Sequence, residues 1–222
     1  MKLTIVGATG GIGRQLVEQA VAAGHDVTAV VRDPAGLAVR TVAAVRADLS
    51  RATPKDLEPS VSGADAVLSA LGPRRAADTG IVTTGTRTLM TAMAAAGTRR
   101  LVVVSAAPVG TVPAPGRPHP PRHDPGDGLV MRYLLAPLTK AALRANYADL
   151  ARMEELLRDS DLEWTVIRPP RLTDRPLTGT YRTALDRNLR RGLTVPRADV
   201  AHRMLRIPAE PETIRHTIGI AT

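Results

Sequence analysis

Cysteine is absent from the 222 residues, which excludes disulfides, thiolate metal sites and a thiol nucleophile. Phenylalanine is absent too, and Trp164 with three tyrosines makes up the aromatic complement. Stacking platforms for nucleic-acid bases are therefore nearly missing. The core has to be built from Ala, Val, Leu and Ile, as in covered parallel sheets. Long apolar runs are also lacking. The one at Met1 to Val6 stops at Gly7, too short for a signal peptide, and no later stretch approaches the roughly 20 apolar residues of a membrane helix. Together these absences predict a soluble cytoplasmic chain with no membrane or nucleic-acid partner.

Lysine is scarce, at three residues against 27 arginines, and the formal charge is +9. The arginines are scattered. Pairs such as Arg74-Arg75, Arg99-Arg100 and Arg190-Arg191 fall in different predicted elements, and no run reaches five. That distribution describes a solvated basic surface, with two or three cations left over for a phosphorylated ligand.

The length and a hydrophobic fraction of 44% fit one well-buried core, so a single domain over 1–222 is expected. Short β-rich runs at 2–6, 26–31, 42–47, 65–70, 100–106 and 163–169 alternate with helical patterns near 13–23, 80–96 and 139–159. The alternation predicts an α/β fold, a Rossmann-type doubly wound parallel sheet with helices on both faces. Residues 107–128 hold seven prolines and four glycines and predict a long exposed loop. It follows the fifth strand, where a lid over a substrate and a functionless surface insertion are both open readings.

The strongest motif is GATGGIGRQLV at 7–17, placed after the first strand and opening the first helix. Gly7 allows the tight turn, Gly10 lets the backbone approach a pyrophosphate, and Gly13 lets the helix pack on the strand. The N–H groups that begin the helix, around Gly11 and Ile12, supply positive dipole to the phosphates. At the end of the second strand, where an acidic residue would hold the ribose hydroxyls of NAD, stands Arg32, whose guanidinium suits the 2′-phosphate of NADP(H). Asp33 is its competitor if turned inward. Arg14 and Arg74 are either further phosphate contacts or solvated. Asp48 either accepts from the adenine amino group or caps a helix, and Leu49 would cover the ring. Ala70, Leu71 and Gly72 end the fourth strand, where the backbone passes close to the second ribose.

The sequence resembles the atypical short-chain dehydrogenase/reductases, and among them the NmrA-like NAD(P)-binding proteins and the biliverdin-IXβ/flavin reductases. GATGGIG, VVRDP at 30–34, LLRDSDLEWTVIRPPRLTD at 156–174, PLTGTYRTAL at 176–185 and PRADVAHRML at 196–205 carry the likeness. The resemblance implies that Gly7, Thr9, Gly10, Gly13, Arg32, Asp48, Leu71, Gly72 and Arg74 hold the cofactor. It implies too that Ser105 stands after the fifth strand, and that Pro169 and Pro170, with Arg171 and Leu172, lie on the nicotinamide side. The Tyr and Lys pair of ordinary superfamily members has no counterpart, since Tyr133, Tyr147 and Tyr181 are followed at the fourth position by Pro137, Ala151 and Leu185. Leu150 stands where some flavin-reductase relatives carry a histidine.

The resulting expectation is an NADPH-dependent reductase of a conjugated small-molecule acceptor, a flavin, quinone or tetrapyrrole, acting as a monomer or small homo-oligomer. Ser105 and Tyr147 are the candidate proton donors. A redox-neutral or ketoreductase-type enzyme and a non-catalytic NADP(H) sensor are the alternatives. His119, His123 and Asp124 sit in the proline-rich loop rather than on a helix face, so no metal site is expected. Glu154 and Glu155 are read as part of an amphipathic helix, where Glu154 faces Arg158 at i+4.

Overall fold

The computed structural model describes residues 1–73, 78–128 and 142–222. Eight strands form one sheet in the order β3-β2-β1-β4-β5-β6-β10-β8. These are β1 (Lys2–Val6), β2 (Asp26–Val31), β3 (Ala43–Arg46), β4 (Ala66–Ser69), β5 (Arg100–Val104), β6 (Glu163–Arg168), β8 (Arg182–Leu185) and β10 (His216–Ala221). All pairings are parallel except that of β10 with β8. A small second sheet pairs β7 (Arg171–Thr173) with β9 (Thr194–Pro196).

Period-two alternation distributes each strand's side chains over two cores. Leu3 and Ile5 of β1, Ala29 of β2 and Leu68 of β4 pack with Leu16 and Ala20 of α1 (Gly11–Ala22), and with Val200 and Met204 of α5 (Arg197–Arg206). On the other face Val6, Val30, Val67 and Leu101 pack with α2 (Pro54–Val61), α3 (Ile81–Ala96) and α4 (Arg144–Arg158), through Leu57, Met93 and Met153. A sheet covered on both faces explains why these strands read as predominantly apolar runs rather than as a strict alternation.

Two helices escaped the periodicity. The octapeptide of α2 contains two prolines, but Pro54 stands in the first turn, where its missing N–H costs nothing, and Thr53 with Asp56 forms a capping box. In α5, Pro196 delivers the chain from β9 directly into the helix.

The proline-rich segment corrects the expectation of an exposed loop. Its first residues, Ala107–Thr111, wind into a 3-10 turn, and Ala107, Val109, Ala114 and Asp124 are buried. Val109 and Ala114 form a satellite core with Tyr147 and Ala151 of α4. The Gly116 N–H donates to the Glu155 carboxylate. Asp124 Oδ1 accepts the N–H of Gly126 at 2.9 Å and of Asn188 at 2.8 Å. Docking of this kind is not visible to a composition argument, because it depends on what the segment meets.

Candidate functional site

The sheet changes winding direction between β1 and β4, and there its carboxyl edge opens. Gly7 leaves β1 with φ of +74°, and an added Cβ would lie 2.8 Å from the Ala70 carbonyl oxygen at the end of β4. A Cβ on Gly13 would lie 2.1 Å from the Gly7 oxygen, so only glycine lets α1 sit this close to the turn. Gly10 is different. It enters α1 from extended backbone, and its Cβ would meet nothing nearer than the Gly7 oxygen at 3.2 Å. The helix has no side-chain N-cap and no acidic residue in its first turn. Its opening N–H groups and positive dipole suit a pyrophosphate.

Around this turn lies a cleft of about 350 Å³. It extends across the edges of β2, β1, β4 and β5, about 14 Å at ~4.8 Å per strand. At the β2 end Arg32 lines it, with Nη1 3.9 Å from Asp78. Asp33 does not turn inward. Its carboxylate accepts the Ala35 N–H at 3.0 Å and caps the 3-10 turn Pro34–Gly36. Arg46 donates to the Arg32 carbonyl at 3.3 Å, which brings a second guanidinium to this end.

Asp48 caps a turn rather than a helix, since the N-cap of α2 is Thr53. It is exposed and accepts the Ser50 N–H at 3.1 Å and the Ser50 hydroxyl at 2.8 Å. The Ser50 hydroxyl first, then the Ser50 N–H and the charges of Arg32 and Arg51, hold this carboxyl below its ordinary value against a small opposing effect of burial. Leu49 and Leu71 do line the cleft. Gly85 of α3 makes room for both, since a Cβ there would lie 2.8 Å from Leu71 and 3.1 Å from Leu49.

At the β5 end the wall is Val104, Ser105, Leu150 and Leu172. Ser105 donates its hydroxyl to Glu154 Oε1 at 2.7 Å. Glu154 has 1% exposure, and it also accepts from Arg168 Nε at 3.0 Å, Arg168 Nη2 at 2.5 Å and Arg158 Nη2 at 2.6 Å. Burial alone would push the Glu154 carboxyl up, but the Arg168 charge and hydrogen bonds, helped by Arg158 and Ser105, outweigh it and hold the carboxyl below its ordinary value. An ionised carboxylate only accepts, so the Ser105 proton is committed to it and the Ser105 oxygen offers lone pairs to the cleft.

The structure brings Gly7, Thr9, Gly10, Gly11, Ile12, Arg32, Leu49, Ala70, Leu71, Gly72 and Ser105 together on the cleft wall. Gly13 supports the wall from behind. Arg74 lies outside the described residues. Tyr147 is not brought to the wall. It stands one turn before Leu150, and its ring is taken up by the pocket that Val109 and Ala114 form. Pro169 is buried with its carbonyl accepting the Ala107 N–H at 2.9 Å, and Pro170 faces a separate small cavity beside Asn188, so neither lines the cleft.

The expected Glu154–Arg158 pair at i+4 is present at 2.6 Å, but sequence reasoning missed the burial of Glu154 and the parts played by Arg168 and Arg197. Glu154 shares the helical stripe of Tyr147, Leu150, Ala151 and Leu157, and a charge on an apolar stripe was the available signal. Asp149, also buried, accepts the N–H groups of Val82 and Thr83 at 3.0 Å each and caps α3, whose own N-cap Gly80 has no side chain.

A family model described as NAD(P)H-binding matches residues 7–211. Over 72 residues the chain is 36% identical to the uncharacterized protein YwnB of Bacillus subtilis (strain 168), and the match covers 32% of each protein. The fold superposes on the oxidoreductase ylbE of Lactococcus lactis with a TM-score of 0.80 at 21% identity, covering 100% of this chain and 91% of that one. It superposes on a candidate NADH-flavin reductase of Streptococcus pneumoniae with a TM-score of 0.72 at 24% identity, covering 100% and 99%. At such identities the superpositions establish a shared fold.

Proposed function

Because this chain belongs to the NAD(P)H-binding family, we propose that it uses NADPH to reduce a conjugated small-molecule acceptor, a flavin, quinone or tetrapyrrole, in the manner of the biliverdin-IXβ/flavin reductases it resembles. The observation that carries this reading is the Ser105–Glu154 hydrogen bond at the β5 end of the cleft. The reaction end has a hydroxyl, but its proton is held by a carboxylate that two arginines keep ionised. A ketone needs an acid in the transition state, and neither this serine nor a tyrosine with its lysine is there to supply one. A conjugated acceptor spreads the incoming charge and takes its proton from water, so holding it in place suffices.

The group that fits the cleft is the dinucleotide. Gly10, Gly11 and Ile12 would hold its pyrophosphate, Leu49 and Leu71 would flank its adenine, and Arg32 would take the 2′-phosphate. When bound, NADPH supplies a hydride, two electrons and a proton, and solvent supplies the second proton. The outward turn of Asp33 and the neighbouring Arg46 support NADPH over NADH. Arg32→Ala is expected to weaken NADPH by ~1.5–3 kcal/mol, the worth of a charge-assisted hydrogen bond, while NADH changes little. Isothermal titration of both cofactors checks this, and equal weakening would refute the assignment.

Proton delivery is tested by Ser105→Ala and Tyr147→Phe. Each is expected to lower single-turnover NADPH oxidation in the presence of flavin or quinone by less than about tenfold, well short of the 10²–10⁴-fold loss on removing a general acid. A hundredfold loss in either variant with cofactor affinity intact would favour carbonyl reduction instead.

A further inference from the structure

On the far side of the glycine turn lies a second depression, about 290 Å³, which shares Thr9, Gly10, Gly11 and Arg197 with the cleft. Arg14, Arg175 and Arg197 line it together with Gly10, Gly11 and one carboxylate, Asp174. Three guanidinium groups against one carboxylate leave it cationic. Arg197 is built into the partition between the two cavities, which it lines on both sides. Its Cδ stands 2.6 Å from where a Cβ on Gly11 would be, and its Nη1 reaches Asp174 at 2.5 Å. Asp174 itself is 88% exposed, so the pair is open to exchange with a stronger anion.

The chain leaving β7 connects the two cavities. Leu172 lines the reaction end of the cleft, while Asp174 and Arg175 line the depression. At ~3.3 Å per residue, Leu172 and Arg175 stand about 10 Å apart along an extended chain. A planar acceptor against Leu172 and Ser105 with an anionic tail a few bonds long would reach the arginines.

Building on the reductase reading above, we propose that this depression seats a phosphate or carboxylate carried by the acceptor, so that the preferred acceptor is anionic. Flavin mononucleotide and riboflavin share one ring system and differ in that phosphate, which makes them the probes. With NADPH saturating, the protein is expected to reduce the mononucleotide with kcat/KM about tenfold or more above riboflavin, the difference lying in KM and shrinking as salt rises. Arg175→Ala should bring the ratio close to one and leave riboflavin turnover and NADPH affinity unchanged.

Equal use of the two flavins by the unaltered protein overturns the proposal. So does an Arg175→Ala variant that loses NADPH affinity in proportion, because the depression then belongs to the cofactor's own pyrophosphate. Fluorescence titration of both flavins into the NADP⁺-loaded protein separates this idea from the reductase reading. If neither flavin is reduced yet the mononucleotide binds about tenfold more tightly, the anion seat stands and the reductase reading falls. Equal binding removes the seat.

Discussion

Glu154→Gln is expected to lower the stability of the protein by roughly 3–5 kcal/mol, the usual cost of removing one partner from a buried ion pair. Glutamine keeps the shape, so no cavity contributes. What is lost is the negative charge between Arg168, whose side chain is 7% exposed, and Arg158 at i+4. Arg168 then remains in a dry site, where the amide oxygen is a poor substitute for a carboxylate. The unfolding midpoint should fall by roughly 6–20 °C for a chain of this length.

The loss should also depend on pH. The folded protein holds the Glu154 carboxyl below its ordinary value. Its contribution is therefore complete above the unfolded carboxylate range and disappears as pH falls through the lower folded value. Unfolding curves of the unaltered protein and Glu154→Gln, compared from neutral to acid pH, should converge in acid. A gap of constant size would mean that shape, not charge, holds this corner.

Gly10→Val is expected to weaken both NADPH and NADH by at least ~100-fold, or ~2.7 kcal/mol, because the side chain takes the space a pyrophosphate needs against the turn. The fold should survive. Gly10 has φ −80° and ψ 171°, a region valine adopts readily, and only the Gly7 oxygen lies near its Cβ. Gly13→Ala should do the opposite and destabilise the protein by roughly 3 kcal/mol, at the upper end of ordinary overpacking, since its methyl would collide with the Gly7 carbonyl. Thermal unfolding with and without cofactor distinguishes the two. If Gly10→Val retained affinity, phosphates would not lie on this turn.

The sequence-based reading of the sheet holds for β1 through β6 because each is a short run dominated by apolar and β-branched residues, such as DVTAVV for β2 and RLVVV for β5. The later strands are short and mixed. TVP of β9 and RTAL of β8 carry no pattern, and β10 contains Gly219, where a side chain would strike the Arg187 carbonyl. In the site, Gly7 and Gly13 were legible because backbone geometry excludes other residues there. Asp48 was not decidable, since capping and ligand binding call for the same oxygen. That Glu154 and Asp149 are buried was not legible, because the partners that satisfy a buried carboxylate come from strands and helices elsewhere in the sequence.

The position of β10 has a consequence for how the chain is made. Its partners on either side are β6 and β8, so neither can complete its pairing until residues 216–221 have been synthesised. At ~5–20 residues per second, the 48 positions from the end of β6 to the start of β10 take roughly 2–10 s to translate. Until then the WTVI stretch of β6 keeps one unpaired apolar edge once it has left the ribosome, open to solvent or to a chaperone. A ribosome pausing within this window would prolong the exposure of that edge, and with it the opportunity for edge-to-edge aggregation.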